Sequence, residues 1–177
     1  MDRVPIFEKT DGSGARQPYL LRQDEGETLW FLGNLVTLKA TAATTGGALT
    51  VAHFVNPPGF APPLHRHLVE DEMFYILSGT AEFHCAEQSF LAGPGDFVLL
   101  PSTVPHTFTV GAGEPLHVLQ LTTPAGFEDF AAAVGQPAGQ RRLPDPAPVD
   151  PAALGHAAAL HRIEILGPPP GDHGDPG

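Results

Sequence analysis

The sequence predicts an all-β domain of many short strands, closed into a sandwich or barrel, with short helices behind it. Three observations predict it. Glycine and proline recur throughout, 20 of each among 177 residues, and both punctuate a chain at turns. From residue 12 to residue 126 they separate short runs rich in β-branched and aromatic residues, a composition that fits a pleated, half-buried surface. No longer repeat is visible in the chain, so one unit rather than an array is expected.

The runs occupy 28–32, 35–40, 48–55, 73–77, 81–84, 97–100, 107–110 and 116–121. The turns between them are strongest at Gly46-Gly47, Pro57-Pro58-Gly59, Ser78-Gly79 and Pro94-Gly95-Asp96. After Thr123 the period changes. Phe127, Phe130, Ala131 and Val134 recur at threes and fours, which predicts a helix over 126–134. Glu128 and Asp129 fall in its first turn, where the helix dipole favours acids, and Gly135 ends it. Residues 137–149 are proline-rich and read as extended. Asp150 is a good N-cap with Pro151 at the first helical position, predicting a second helix over 151–160. Residues 162–166 form a candidate final strand. The Pro/Gly-rich 167–177 reads as a disordered tail whose deletion is expected to change nothing. The chain therefore divides into N-terminal strands or an arm joining the barrel (1–47), the barrel core (48–123), C-terminal helices with the final strand (124–166) and the tail (167–177).

Composition narrows the partners. Nine basic against 20 acidic residues give a net charge of −11, the wrong sign for nucleic acid or an anionic membrane. The single cysteine, Cys85, allows no internal disulfide and fits a reducing compartment. No stretch approaches the 18 or so apolar residues of a membrane helix. Residues 1–10 carry Asp2, Glu8 and Lys9 with no apolar run, so no secretory signal is expected. The expected location is the cytoplasm. A chain of this length buries roughly 70% of its unfolded surface and needs no staple.

His65, His67, Glu72 and His106 carry the chemistry. On an extended chain His65-Arg66-His67 puts both imidazoles on one face. Glu72 begins the run Met73-Phe74-Tyr75-Ile76-Leu77, and His106 follows a Pro101…Pro105 turn. Three imidazole nitrogens and one carboxylate oxygen suit one divalent transition metal, Mn, Fe, Co, Ni, Cu or Zn, better than Mg or Ca. Four such ligands on a six-coordinate ion leave two positions open. Glu70 and Asp71 compete with Glu72 for the carboxylate place. The four-residue spacing and the strand that follows favour Glu72.

Gly59, His65-Arg66-His67, Glu72 and Gly79, at these spacings, resemble the first motif of the cupin superfamily. Pro94-Gly95-Asp96, Pro101 and His106 resemble the second. Two family positions differ: a glycine usually stands where Thr103 sits, and an asparagine where Val110 sits. Neither is a ligand position, so the departures bear on the turn and the strand end. The segment Glu70 to Gly79, the upstream Leu29-Trp30-Phe31-Leu32-Gly33 and the Phe127-Glu128-Asp129-Phe130 helix resemble small single-domain cupins related to bacterial quercetin 2,3-dioxygenases. The resemblance implies a single jelly-roll-like cupin β-barrel with short C-terminal helices. It implies a metal held by His65, His67, Glu72 and His106, a flavonol bound through its 3-hydroxyl, and Glu72 as ligand and base. Dioxygen then opens the central ring with loss of carbon monoxide. It also implies a homodimer, paired through a sheet edge or exchanged strands. A non-catalytic cupin that binds a small molecule for sensing or storage is the alternative. A sugar epimerase or isomerase fits less well, since such cupins generally lack the full three-histidine, one-glutamate set.

Strand parity gives the expected pocket. If Glu72 points inward, so do Phe74 and Ile76; if His106 does, so do Phe108 and Val110. Phe54 and Phe60 are placed at the mouth. Such a cavity suits a small, flat aromatic substrate. His53, His84, His117, His156, His161 and His173 read as structural or exposed, and Cys85 has no neighbouring base to make it a nucleophile.

Overall fold

A computed structural model describes residues 16–168. The reading of residues 1–10, and the tail beyond Pro168, lie outside the described residues. Two antiparallel sheets face each other. The first contains, in spatial order, β11 (Gln136–Pro137), β1 (Glu27–Phe31), β2 (Asn34–Ala40), β3 (Thr50–Asn56), β10 (Leu116–Thr123), β5 (Asp71–Ser78) and β8 (Phe97–Leu100). The second contains β12 (Ile163–Gly167), β4 (Leu64–His67), β9 (His106–Val110), β6 (Ala81–Cys85) and β7 (Gln88–Ala92). Helices α1 (Ala42–Thr45), α2 (Phe127–Val134) and α3 (Pro151–Leu160) lie in the connections.

The inner faces make one core. Burial alternates residue by residue along β3 and β10, the period-2 signature of a sheet with one wet face. Phe54, Phe74, Ile76, Val98, Leu100 and Val118 enter from the first sheet, and Phe83, Phe108 and Val110 from the second. The Phe74, Phe83 and Phe108 rings meet with centroids 5.3–5.6 Å apart, within the range of favourable aromatic pairing.

All eight expected strand runs contain strands. β4 and the Pro137 end of β11 are expected only as extended chain, and the sequence marks no strand at β7. Gln88-Ser89-Phe90-Leu91-Ala92 holds no β-branched residue; it is a strand because a hairpin pairs it with β6 along its whole length. The run expected from residue 48 begins at Thr50, because α1 and the Gly46-Gly47 turn precede it. Both helices after Thr123 are present, and Asp150 Oδ1 accepts the amides of Ala152 and Ala153 as an N-cap.

Glu128 lies in the first turn of α2 as expected, and it is buried there. It accepts hydrogen bonds from the Ala42 amide, the Thr50 hydroxyl and the Gly126 amide, tying α1, β3 and α2 together. Gly135 ends α2 without a left-handed cap, at φ −81°. A Cβ there would lie 2.6 Å from the Ala131 carbonyl oxygen and 3.0 Å from that of Trp30, so close approach to β1 demands the glycine. Gly167, assigned to the tail, is the last residue of β12 and pairs with Leu64. A deletion starting there would cut into the sheet.

Candidate metal centre

β4 is short and brings His65 and His67 to one face, while Arg66 turns out to meet Glu164 at 2.7 Å. β12 pairs along one side of β4, Ile163 opposite His67 and Ile165 opposite His65. On the other side a single pairing, His65 with His106, joins β4 to β9. Glu72 is the second residue of β5 and reaches in from the opposite sheet. The four residues offer donor atoms that all lie within 4.8 Å of one another. Neither Glu70 nor Asp71 belongs to this group.

The second atom of each donor is already occupied. His65 Nδ1 faces the Pro63 carbonyl oxygen at 2.8 Å, and His106 Nδ1 that of Val104 at 2.9 Å. His67 Nδ1 faces Glu70 Oε2 at 2.9 Å. Carbonyl and carboxylate oxygens only accept, so each ring donates from Nδ1 and presents a bare Nε2. Gln120 Nε2 donates to Glu72 Oε1, which leaves Oε2 toward the histidines, 3.1 Å from His106 Nε2 and 3.9 Å from His67 Nε2. Asp71 Oδ1 accepts the Ser102 amide at 2.8 Å, holding the turn before β9.

Electrostatics follow from this packing. Burial, then the positive charge His106 can carry, pushes His65 down to about 4, with Glu72 opposing. Burial would also lower His67, but its bond to Glu70 and the charges of Glu72 and Glu70 leave it raised. Burial alone would raise Glu72; the approach of His106 and the charges of the three histidines overcome it and hold the carboxyl down to about 2. The fit to a cation can be read from the atoms. His106 Nε2 is fully buried without a hydrogen bond of good geometry. Three neutral imidazole nitrogens and a carboxylate oxygen form a donor set suited to a divalent transition metal.

The tetrad faces a largely apolar cavity. Phe54, Phe60, Phe74 and Phe108 line it. Ile76 and Val110 do not. Both point inward and are fully buried, so the parity is right, but each lies two residues beyond a phenylalanine whose ring helps close the cavity. The remaining wall comes from residues not anticipated: Phe31, Phe127, Phe130, Leu154, Ile163 and Ile165. Gln120 was also missed. Its signal was a lone amide at an inward position of an apolar strand, Val118-Leu119-Gln120-Leu121.

The family's usual glycine position is informative. Thr103 holds φ +67°, so the turn keeps the left-handed backbone even without glycine. Its amide donates to the His67 carbonyl at 2.7 Å. Of the remaining histidines, His53 and His117 meet at a tilt on the outer face of the first sheet with centroids 5.5 Å apart, and His84 meets the Ser89 hydroxyl at 2.7 Å.

Two facing antiparallel sheets with a three-histidine, one-glutamate cluster between them define the cupin architecture. Residues 52–122 match the family described as cupin domain; this segment contains the whole tetrad. Quercetin 2,3-dioxygenase of Bacillus subtilis (strain 168) is 27% identical over 161 residues, 91% of this chain and 46% of that protein. An uncharacterized protein of Methanocaldococcus jannaschii is 28% identical over 75 residues, 42% of this chain and 60% of that one. The chain thus spans about half the length of the curated relatives it matches, 46% and 60%. Among solved structures, Pac13 of Streptomyces, described as a nucleoside dehydratase, superposes with a TM-score of 0.52 at 16% identity, over 72% of this chain and 95% of that one. At that identity the likeness is one of fold. No helix among the described residues is long and apolar enough to cross a membrane.

Proposed function

We propose that this chain is a metal-dependent dioxygenase that cleaves a flavonol-like aromatic substrate with dioxygen. One observation carries the reading: four donor atoms, each fixed by a partner on its other side, converge on an apolar cavity walled by phenylalanines. The likeness to the Bacillus subtilis enzyme supports it. His65, His67 and His106 through Nε2, and Glu72 through Oε2, would hold one divalent transition metal, Mn, Fe, Co, Ni, Cu or Zn. Bound there, the ion supplies Lewis acidity toward a ring hydroxyl and open positions for substrate and dioxygen.

The chain's own residues do the rest. Phe54, Phe60, Phe74 and Phe108 hold a flat ring and exclude water from it. Glu72 takes the proton from the substrate hydroxyl, since it is the one carboxylate of the tetrad and is kept ionised by its neighbours. Gln120 donates to Oε1 and so fixes the orientation of the carboxylate. The electron-rich ring left behind is what dioxygen attacks.

We propose further that two copies pair and act in the cytoplasm, as the acidic surface and free Cys85 favour. The outer face of the first sheet exposes Tyr75 and Leu77 on β5 beside Phe97 and Leu99 on the edge strand β8. An apolar patch at an open sheet edge favours self-association.

Elemental analysis of the purified chain, with oxygen uptake on a flavonol, tests the main reading. About one metal per chain is expected, lost in His106→Ala with the fold retained. Glu72→Gln is expected to keep part of the metal and to lose turnover. A chain that takes up none of the six metals refutes the dioxygenase. One that binds metal and flavonol without consuming oxygen is the small-molecule binder instead.

A further inference from the structure

We propose that Leu32 is a gate residue that sets the width of ligand the cavity admits. The inference rests on the reading of that cavity as the ligand site. Leu32 and Gly33 form the two-residue turn between β1 and β2, with Phe31 opposite Asn34. Their φ angles are +50° and +82°. A hairpin turn with both central residues at positive φ favours Asn-Gly, because a side chain at the first position is strained. Leucine is a poor choice for this turn.

The surroundings hold it there. Asn34 Nδ2 donates to the carbonyls of Phe31 and Leu32 at 3.1 and 3.2 Å. Asn34 Oδ1 accepts from Asn56 Nδ2 at 2.8 Å, and both amides are buried. Strain that neighbours over-determine in this way concentrates at ligand sites.

The position of the side chain suggests its use. Leu32 is half-buried although it sits in a turn, and it packs against the core. It lines the inner cavity and both depressions outside it, one bordered by Val149 and Pro151, the other by Trp30 and Val134. Leu154, on α3, is the one other residue common to all three. The two leucines therefore stand between the cavity and solvent. Leu154 is fixed, buried on a helix that packs on β12. Asn34 holds the turn that carries Leu32, but the Leu32 side chain is only half-buried and is the one that can yield by rotating. An uncharged aromatic ligand is what an all-apolar gate passes.

The test compares the unaltered protein with Leu32→Asn and Leu32→Ala. It measures thermal unfolding and the association rates of phenol, 2-naphthol and 3-hydroxyflavone. Leu32→Asn restores the favoured turn, so its melting temperature is expected to hold or to rise by about 2–4 °C. Its association with 3-hydroxyflavone is expected to accelerate roughly tenfold, and with phenol by less than about twofold. Leu32→Ala is expected to show the same widening without a gain in melting temperature. Unchanged 3-hydroxyflavone rates in both variants overturn the gate. So does Leu32→Asn melting below the parent, which would make the leucine a stabilising plug. The readout is binding, so the two proposals fail separately. A parent that binds 3-hydroxyflavone but takes up no oxygen refutes the dioxygenase and leaves the rate differences standing.

Discussion

Glu70 does not belong to the tetrad, yet its removal is expected to weaken metal binding. Its Oε2 accepts a hydrogen bond from His67 Nδ1 at 2.9 Å, with both side chains almost wholly buried. Solvent therefore screens this contact little, and a hydrogen bond involving a charged group contributes about 1.5–3 kcal/mol. Glu70→Ala leaves Nδ1 buried without an acceptor and lets the ring turn. It also opens a gap against Gly126, where a Cβ would lie 3.0 Å from Glu70 Oε1. Loss of such a partner typically weakens metal affinity about 10–100-fold, or about 1.4–2.7 kcal/mol. Glu70→Gln keeps an acceptor and is expected to lose less than about tenfold. Competition against a calibrated chelator, with zinc or manganese, reads both. Parental affinity in Glu70→Ala refutes the positioning role. Complete loss of metal in Glu70→Ala, with Glu72→Ala still loaded, would make Glu70 the donor and overturn the tetrad.

Three other predictions rest on separate features. Thr103→Gly is expected to stabilise the chain by about 1 kcal/mol in urea unfolding, because a β-branched residue at φ +67° is strained; a loss of stability refutes this. Burial, then the charges on His117 and Lys39, hold the His53 pKa below its ordinary 6.5. The unfolded chain then takes the proton first, so acidification from pH 6.5 toward the folded pKa costs stability; His53→Gln is expected to flatten that part of the pH profile. Light scattering is expected to find a dimer, and Phe97→Glu a monomer, since Phe97 is 60% exposed on the edge strand; an unchanged mass in the variant clears this face of the role.

The donors of the site were legible because each needs only local geometry. His65 and His67 share a face by alternation, and Glu72 starts a run whose parity is unmistakable. What was missed is long-range. Gln120 touches Glu72 across two strands and 48 positions, and no local spacing marks that pair. Glu70 lies three residues from His67, yet whether it turned in or out depended on α2 packing over it. β4 reads only as extended chain, because one partner strand comes 98 residues later, with Glu164 opposite Arg66. The pocket reading failed where parity was asked to give depth. Alternation says that Ile76 and Val110 face inward, but three phenylalanine rings decide where the cavity stops. Glu128 falls in a first turn as the helix dipole predicts, but the dipole does not reveal the buried hydroxyl and amides that it also binds.

The pairing of β12 with β4 has a consequence for the order of synthesis. All four donors have been synthesised by His106, while the strand that fixes two of them ends at Gly167. Until then the histidine strand is held to its neighbour by a single register pair. The four candidate donors are made early and assembled late, so an ion that the site holds would meet it mainly after translation, when geometry rather than order of arrival governs the choice.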